Sequence, residues 1–283
     1  MNKPNIHKLE QIASQIRRDI IRMVHTAKSG HPGGSLGCAD FLTALFFDIL
    51  NSTPETISAN GINEDMFFLS NGHISPVLYS VLARRGYFPV NELATFRLLG
   101  TRLQGHPSPI DHLPGIRVAS GSLGQGISVA IGAALAKQAN HDPNLIYVLC
   151  GDGELQEGQN WEAILFAAAK KIDNLILIVD YNQKQIDGPL DEVCDLGDLN
   201  AKFKAFDWEV IEMQGNVMED VLKQMSEAKK LTLKAKPVVV IMRTEMGMGV
   251  DFMMGTHKWH GSPPNDEQTQ TALNQIPETM GDY

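Results

Sequence analysis

Two short runs carry the groups best suited to chemistry, Gly151-Asp152-Gly153 and Asp180-Tyr181-Asn182. Each closes an apolar run, Leu145–Cys150 and Leu175–Val179 respectively, of the kind that forms a buried strand. If the two runs are adjacent parallel strands, their carboxyl ends lie side by side, at the edge where open α/β sheets bind ligands. Asp152, Asn182 and the backbone carbonyl just beyond Asn182 would then offer hard oxygens. Such a set suits Mg²⁺ or Ca²⁺ when phosphate oxygens complete the shell. Glycines at 151 and 153 let an anion approach the backbone, and the helix that follows offers free N–H groups. Gly-Asp-Gly by itself also reads as a plain turn. The strand–loop–helix–strand context, with an Asn closing the second strand, favours the site.

Histidine supplies the second signal. Four of the nine stand in glycine-flanked loops: His31 in SGHPGG, His73 in SNGH, His106 in QGHP and His260 in WHGSPP. A glycine neighbour lets a loop aim an imidazole into a cleft, although any one such histidine is more simply a hydrogen-bonded structural residue. His7, His25, His112 and His141 read as surface or structural, and His257 stays open. No HExxH pair occurs, and His257 and His260 have no acidic ligand nearby, so a transition-metal site has no support. Met242, Met246, Met248, Met253 and Met254 read as pocket or core lining. Ser70, Ser120 and Ser122 have no GxSxG elbow, and neither GxxxxGK[ST] nor GxGxxG occurs, which argues against serine hydrolases, P-loop NTPases and dinucleotide binders.

Regular elements must position these groups. Leu9, Ile12, Ile16, Ile20, Met23 and Val24 recur at helical spacing and predict an amphipathic helix over about 5–28. Ser29–Gly34 reads as a loop enforced by Gly and Pro, followed by a helix at about 38–50. Met66–Ser70 predicts a strand and 75–85 a helix. A Gly-, Pro- and His-rich loop over 100–124 runs into a small-residue helix, Gly124–Ala139. A βαβ unit follows, with strand Leu145–Cys150, helix Gly158–Lys171 and strand Leu175–Asp180. Further strands are expected at Trp208–Glu212 and Pro237–Arg243, with a helix at 217–231 between them. Continuous Val/Ile/Leu strands alternating with helices predict one α/β domain: a parallel sheet with helices on both faces. From about residue 265 the chain reads as a polar, peripheral tail.

Acidic residues number 33 against 24 Lys and Arg in 283 residues, giving a net charge of −9. That balance, with no basic run, argues against a nucleic-acid partner. Three scattered cysteines without CxxC spacing fit a reducing compartment, so a cytoplasmic location is expected. The start lacks a signal-peptide pattern, and the longest apolar run, near Phe41–Leu50, is too short to span a bilayer.

The run GDGELQEGQNWEAILFAAAKKIDNLILIVDYNQKQIDG resembles the thiamine-diphosphate motif of transketolases. SGHPGGSLG, FLSNGHISPVLYSVLARRG, QGHPSPIDHLPGIRVASGSLGQGISVAIGAALA and THKWHG extend the resemblance, in the family's order, over roughly residues 10–265. It implies the thiamine-diphosphate-binding fold of the type that holds the diphosphate. Asp152, Asn182 and the Lys184 carbonyl would hold the Mg²⁺ (or Ca²⁺). The Gly153 amide, His73 and His260 would contact the diphosphate. Gly121 and Leu123 would line the aminopyrimidine pocket, and Ile186 would pack on the thiazolium. His31, His106 and His260 match the histidines around the reacting sugar, whose proton transfers suit a near-neutral pKa. Glu157 and Glu162 match acidic residues at the family's dimer contact.

Complete transketolases continue into a pyrimidine-binding domain and a C-terminal domain. There the resemblance places the glutamate that promotes the reactive C2 ylid and most of the arginines that grip the substrate phosphate. The expectation is therefore an N-terminal subunit of a split transketolase, active with a separate C-terminal subunit in an α₂β₂ assembly on sugar or sugar-phosphate substrates. Alternatives are another thiamine-diphosphate enzyme (2-oxoacid decarboxylating or deoxyxylulose-phosphate synthase-like), a non-catalytic assembly half, or a bare Mg²⁺-nucleotide binder. Donor and acceptor sugars are not legible from this chain.

Overall fold

Strands that read as unbroken Val, Ile and Leu are buried on both sides. The computed structural model describes residues 4–283. Its main sheet holds five parallel strands: β1 (Met66–Leu69), β2 (Ile146–Gly151), β3 (Leu175–Tyr181), β4 (Glu209–Gln214) and β5 (Val238–Arg243). Their spatial order is β1-β2-β3-β5-β4. Alternate residues serve two cores. Tyr147, Leu149, Ile176 and Ile178 face one that includes residues of α1 (Ile6–Ala27), α3 (Ala39–Ala44), α4 (Ser75–Arg85) and α9 (Met218–Leu231). Ile146, Val148, Leu177 and Val179 face the other, against α5 (Gly126–Ala139), α6 (Gly158–Ala169) and α8 (Leu199–Ala205). The expected α/β class, with helices on both faces, is what the chain adopts.

Register places the chemistry. Leu69 pairs with Leu149, and Gly151 pairs with Asp180. Because the strands are parallel, Ser70-Asn71, Asp152, Asn182 and Thr244 all leave the sheet at one edge.

Three expectations are corrected. SGHPGG is not all loop: α2 spans Pro32–Gly37, because proline suits a first helical turn that needs no N–H from it. The helix expected at 38–50 is α3 followed by a π-helical turn, Leu45–Ile49. The tail is not peripheral. Asn265 closes a capping box on α10 (Asp266–Gln275), Ile276 is buried, and Asp282 accepts hydrogen bonds from Arg18 at 2.9 and 2.7 Å. The residues after 265 thus hold α1 through charge and through Ala272 and Ile276, which join its apolar core. The short helix α7 (Leu190–Cys194) and a hairpin pairing Lys184–Gln185 with Gly188–Pro189 have no counterpart in the sequence pattern. Among the described residues no helix is long and apolar enough to cross a membrane.

Candidate active site

Asp152 and Asn182 meet as their strand positions require. The Asp152 amide donates to the Asp180 carbonyl at 3.1 Å, and Gln183 N donates to Asp152 Oδ2 at 2.6 Å. Gly153 N donates to Asp152 Oδ1 at 2.7 Å. Asn182 Nδ2 donates to Asp180 Oδ2 at 3.0 Å, and its Oδ1 accepts from Lys184 N at 3.0 Å. Thr244 Oγ1 donates to Asp180 Oδ1. Asp180, buried behind Asn182, therefore fixes which way that amide turns. Burial, and after it the negative charge of Asp180, pushes Asp152 up to about 8. Burial likewise raises Asp180.

Two buried carboxyl groups this close favour a cation between them and an anionic ligand. The donor set of carboxylate, amide oxygen and main-chain carbonyl fits a hard divalent ion whose remaining ligands come from a phosphate. Among the described residues no group of three or more His, Cys, Asp or Glu could hold a metal.

Glu154, a residue of the GDGELQEG run to which the sequence reading gives no role, braces the cleft. Its buried carboxylate accepts from Ser70 Oγ, from Gly124 N at 2.8 Å and from Gly151 N at 3.2 Å. One side chain thus ties the end of β1, the Gly121–Gly124 loop and the end of β2 together. The one signal the sequence offers is an acid set just after two glycines at a strand end.

The histidines converge from three separate loops. Ring centroids of His31 and His73 are 5.1 Å apart, those of His31 and His260 5.7 Å, and those of His73 and His260 5.0 Å. The late loop docks on the first one because Gly33 has no side chain. Its N–H reaches the Trp259 carbonyl at 3.0 Å, where a Cβ would stand 2.8 Å from that oxygen. Burial lowers His31 to about 4, with the neighbouring charges of His260, Arg97 and His106 adding to it. Burial also lowers His73 and His260. Burial thus favours the neutral ring in all three, a form with one donor and one acceptor. His31 Nδ1 and His260 Nδ1 have no partner among the described residues.

These groups line one cleft of about 470 Å³. His31, His73, His260, Gly121, Leu123, Asp152, Gly153, Glu157, Asn182, Lys184 and Ile186 all face it, joined by Asn71, Glu154, Asp180 and Met246. Ile186 is 60% exposed and Leu123 37%, apolar surfaces left open on the cleft wall. Two candidates stand apart. His106 is exposed at the rim, its ring 3.0 Å from where a Gly121 Cβ would be. Glu162 lies outside the cleft, in a groove between α5 and α6 shared with Leu135 and Phe166. His257 borders a neighbouring hollow of about 380 Å³ that shares Asn182 and Lys184.

The fold and its strand-edge cleft are those of an open α/β ligand-binding domain. The family is more specific: residues 8–277 match the family described as transketolase, thiamine diphosphate binding domain, and the chain belongs to it. It is 36% identical to one subunit of the apulose-4-phosphate transketolase of Phocaeicola vulgatus, over 97% of this chain and 96% of that one. It is 37% identical to a 6-deoxy-6-sulfo-D-fructose transketolase subunit of a Clostridium species, over 95% and 96%. The solved transketolase of Campylobacter jejuni superposes with a TM-score of 0.87 at 36% identity, over 96% of this chain and 43% of that one. The chain thus spans nearly the whole of the subunit relatives and about two fifths of the undivided enzyme.

Proposed function

We propose that this chain is the thiamine-diphosphate-binding subunit of a two-subunit transketolase that transfers a two-carbon ketol unit from a ketose to an aldose. The observation that carries this reading is the single cleft in which Asp152 and Asn182 from strand ends meet three histidines from loops. In this reading Asp152, Asn182 and the Lys184 carbonyl hold Mg²⁺ (or Ca²⁺). The Gly153 amide, His73 and His260 bind the diphosphate. Gly121 and Leu123 border the aminopyrimidine, and Ile186 supports the thiazolium. Thiamine diphosphate supplies the carbanion chemistry when bound. The chain's part is to orient it and to manage protons at the sugar: His31, His106 and His260 hydrogen-bond hydroxyls, and a neutral imidazole can accept or relay one proton.

The partner supplies the pyrimidine-binding domain, including the acid that activates the aminopyrimidine. Relatives matched almost end to end are named as single subunits of transketolases, which supports this division. The exposed apolar residues Val129, Leu135, Leu165 and Phe166 on α5 and α6, with Glu157 and Glu162 nearby, form the contact between subunits of an α₂β₂ assembly. Three free cysteines and an acidic surface agree with a cytoplasmic protein that has no nucleic-acid partner. The substrates are sugars or sugar phosphates.

The test is co-purification of the tagged chain with a pyrimidine-binding subunit, then a ketol-transfer assay with Mg²⁺ and thiamine diphosphate. Transfer by the complex and none by the separated chain is the expected result. A stable, cofactor-loaded complex that transfers nothing from any ketose donor removes the transketolase reading.

A further inference from the structure

Asn71 follows β1 in the run Ser70-Asn71-Gly72-His73, beside the carboxyl end of β2. It is 1% exposed and lines the cleft, yet its Oδ1 has no hydrogen-bond partner among the described residues. Buried amides are nearly always paired, because removing one from water without replacing the lost bond is unfavourable. Its neighbour Ser70 obeys the rule, with its hydroxyl bonded to Glu154. The Asn71 backbone is also engaged, its carbonyl accepting from Ile74 N at 3.1 Å. Only the side chain is spare.

Its place says what it waits for. Asn71 Cβ and Nδ2 each lie 3.9 Å from where a Cβ on Gly151 would stand, one residue before Asp152. The amide therefore sits at the strand-end wall, with the oxygen donors. A phosphoryl oxygen only accepts, so the end that can serve it is Nδ2, which donates to no group among the described residues and lies against the strand-end wall of the cleft. The wall around it holds Asp152, Glu154 and Asp180. A neutral donor there can bind an anion without pairing off with those carboxylates, as a lysine would.

We infer that Asn71 is a further ligand of the cofactor's diphosphate, its Nδ2 donating to a phosphoryl oxygen. This rests on the thiamine-diphosphate reading above and deepens it. A purely structural asparagine would lower the stability of the cofactor-free protein when removed. A residue held in readiness for a ligand would not, because the cofactor-free protein loses only an unpaired group.

The experiment uses the full chain in complex with its partner subunit. It compares wild type, Asn71→Ala and Asn71→Asp by thermal melting without cofactor and by calorimetric titration with thiamine diphosphate and Mg²⁺. Asn71→Ala is expected to melt at or above the wild-type temperature and to bind about tenfold more weakly, the loss of one hydrogen bond to a charged group. Asn71→Asp places a carboxylate against the diphosphate and is expected to bind more weakly still. Wild-type affinity in Asn71→Ala, tighter binding in Asn71→Asp, or a lowered cofactor-free melting temperature in Asn71→Ala overturns the assignment of Asn71 alone. A wild-type complex that binds no thiamine diphosphate overturns the underlying reading, and this inference with it.

Discussion

The two ends of the cleft are built differently. At the strand end, Asp152, Asn182, Asp180 and Glu154 come from, or lie directly beside, paired strands; the three carboxyl groups already accept two or three hydrogen bonds each, and Asn182 Oδ1 accepts one. At the histidine end the rings come from three loops, and His31 Nδ1 and His260 Nδ1 hold none. One end is organised by the sheet before any ligand arrives. The other presents neutral donors and acceptors that a polyhydroxylated substrate can complete. Rigid placement suits a cation and a diphosphate that stay, while spare hydrogen-bonding capacity suits a substrate that comes and goes.

The largest effect separating the two ends belongs to Asp152. Asp152→Ala removes the only carboxylate among the proposed metal ligands, and Mg²⁺-dependent thiamine diphosphate affinity should fall by on the order of 100-fold or more in calorimetry. Unchanged affinity takes Asp152 out of the metal site. Glu154→Ala acts on the same end through stability. It leaves Gly124 N, Gly151 N and Ser70 Oγ without their acceptor and should cost about 3 kcal/mol in chemical denaturation. A loss below about 1 kcal/mol would mean that water replaces the brace.

At the histidine end, a split between residues is expected. His31→Asn, inside the cleft, should lower kcat/KM by about 100-fold. His106→Asn, at the rim, should lower it by about tenfold, the value of one hydrogen bond to substrate. Neither should change cofactor affinity; a parallel loss of cofactor binding would merge the two ends into one. The smallest effect is on pH dependence. His31, faced by His73, His260, His106 and Arg97, is lowered to about 4 from its ordinary 6.5. Between those values the unfolded chain binds the extra proton, so the stability His31 contributes is complete above about pH 6.5 and drains as pH falls toward 4. Melting temperatures should drop less between pH 7 and 5 in His31→Asn than in wild type, and an equal drop would assign the acid sensitivity to other groups.

Most of the strand end is legible in the sequence, for a physical reason. Apolar runs mark strands, parallel strands align their carboxyl ends, and residues such as Asp152 and Asn182 just past those ends must then meet. Glu154 and Asp180 both stand in the motif runs, but their bracing roles escape because holding other groups leaves no pattern of its own. Asn71 escapes because an orphaned amide is visible only once its surroundings are. At the histidine end the glycine-flanked loops single out His31, His73, His106 and His260, but no local pattern tells which of those loops meet. The docking of Gly33 on Trp259 that joins two of them depends on tertiary contact. The tail beyond residue 265 reads as peripheral because much of its attachment is ionic, Asp282 to Arg18 and Arg22, and its buried apolar residues, Ala272 and Ile276, are too few to make a periodic pattern.

The most direct test of the central claim, a strand end already organised for a metal-bound diphosphate, is a titration of the complex with thiamine diphosphate, with Mg²⁺ and again in EDTA. The account predicts one cofactor per copy of this chain with Mg²⁺ and little or no binding in EDTA. Equal affinity in both would contradict it, because Asp152 and Asp180 would then have to accept a diphosphate with no cation between them.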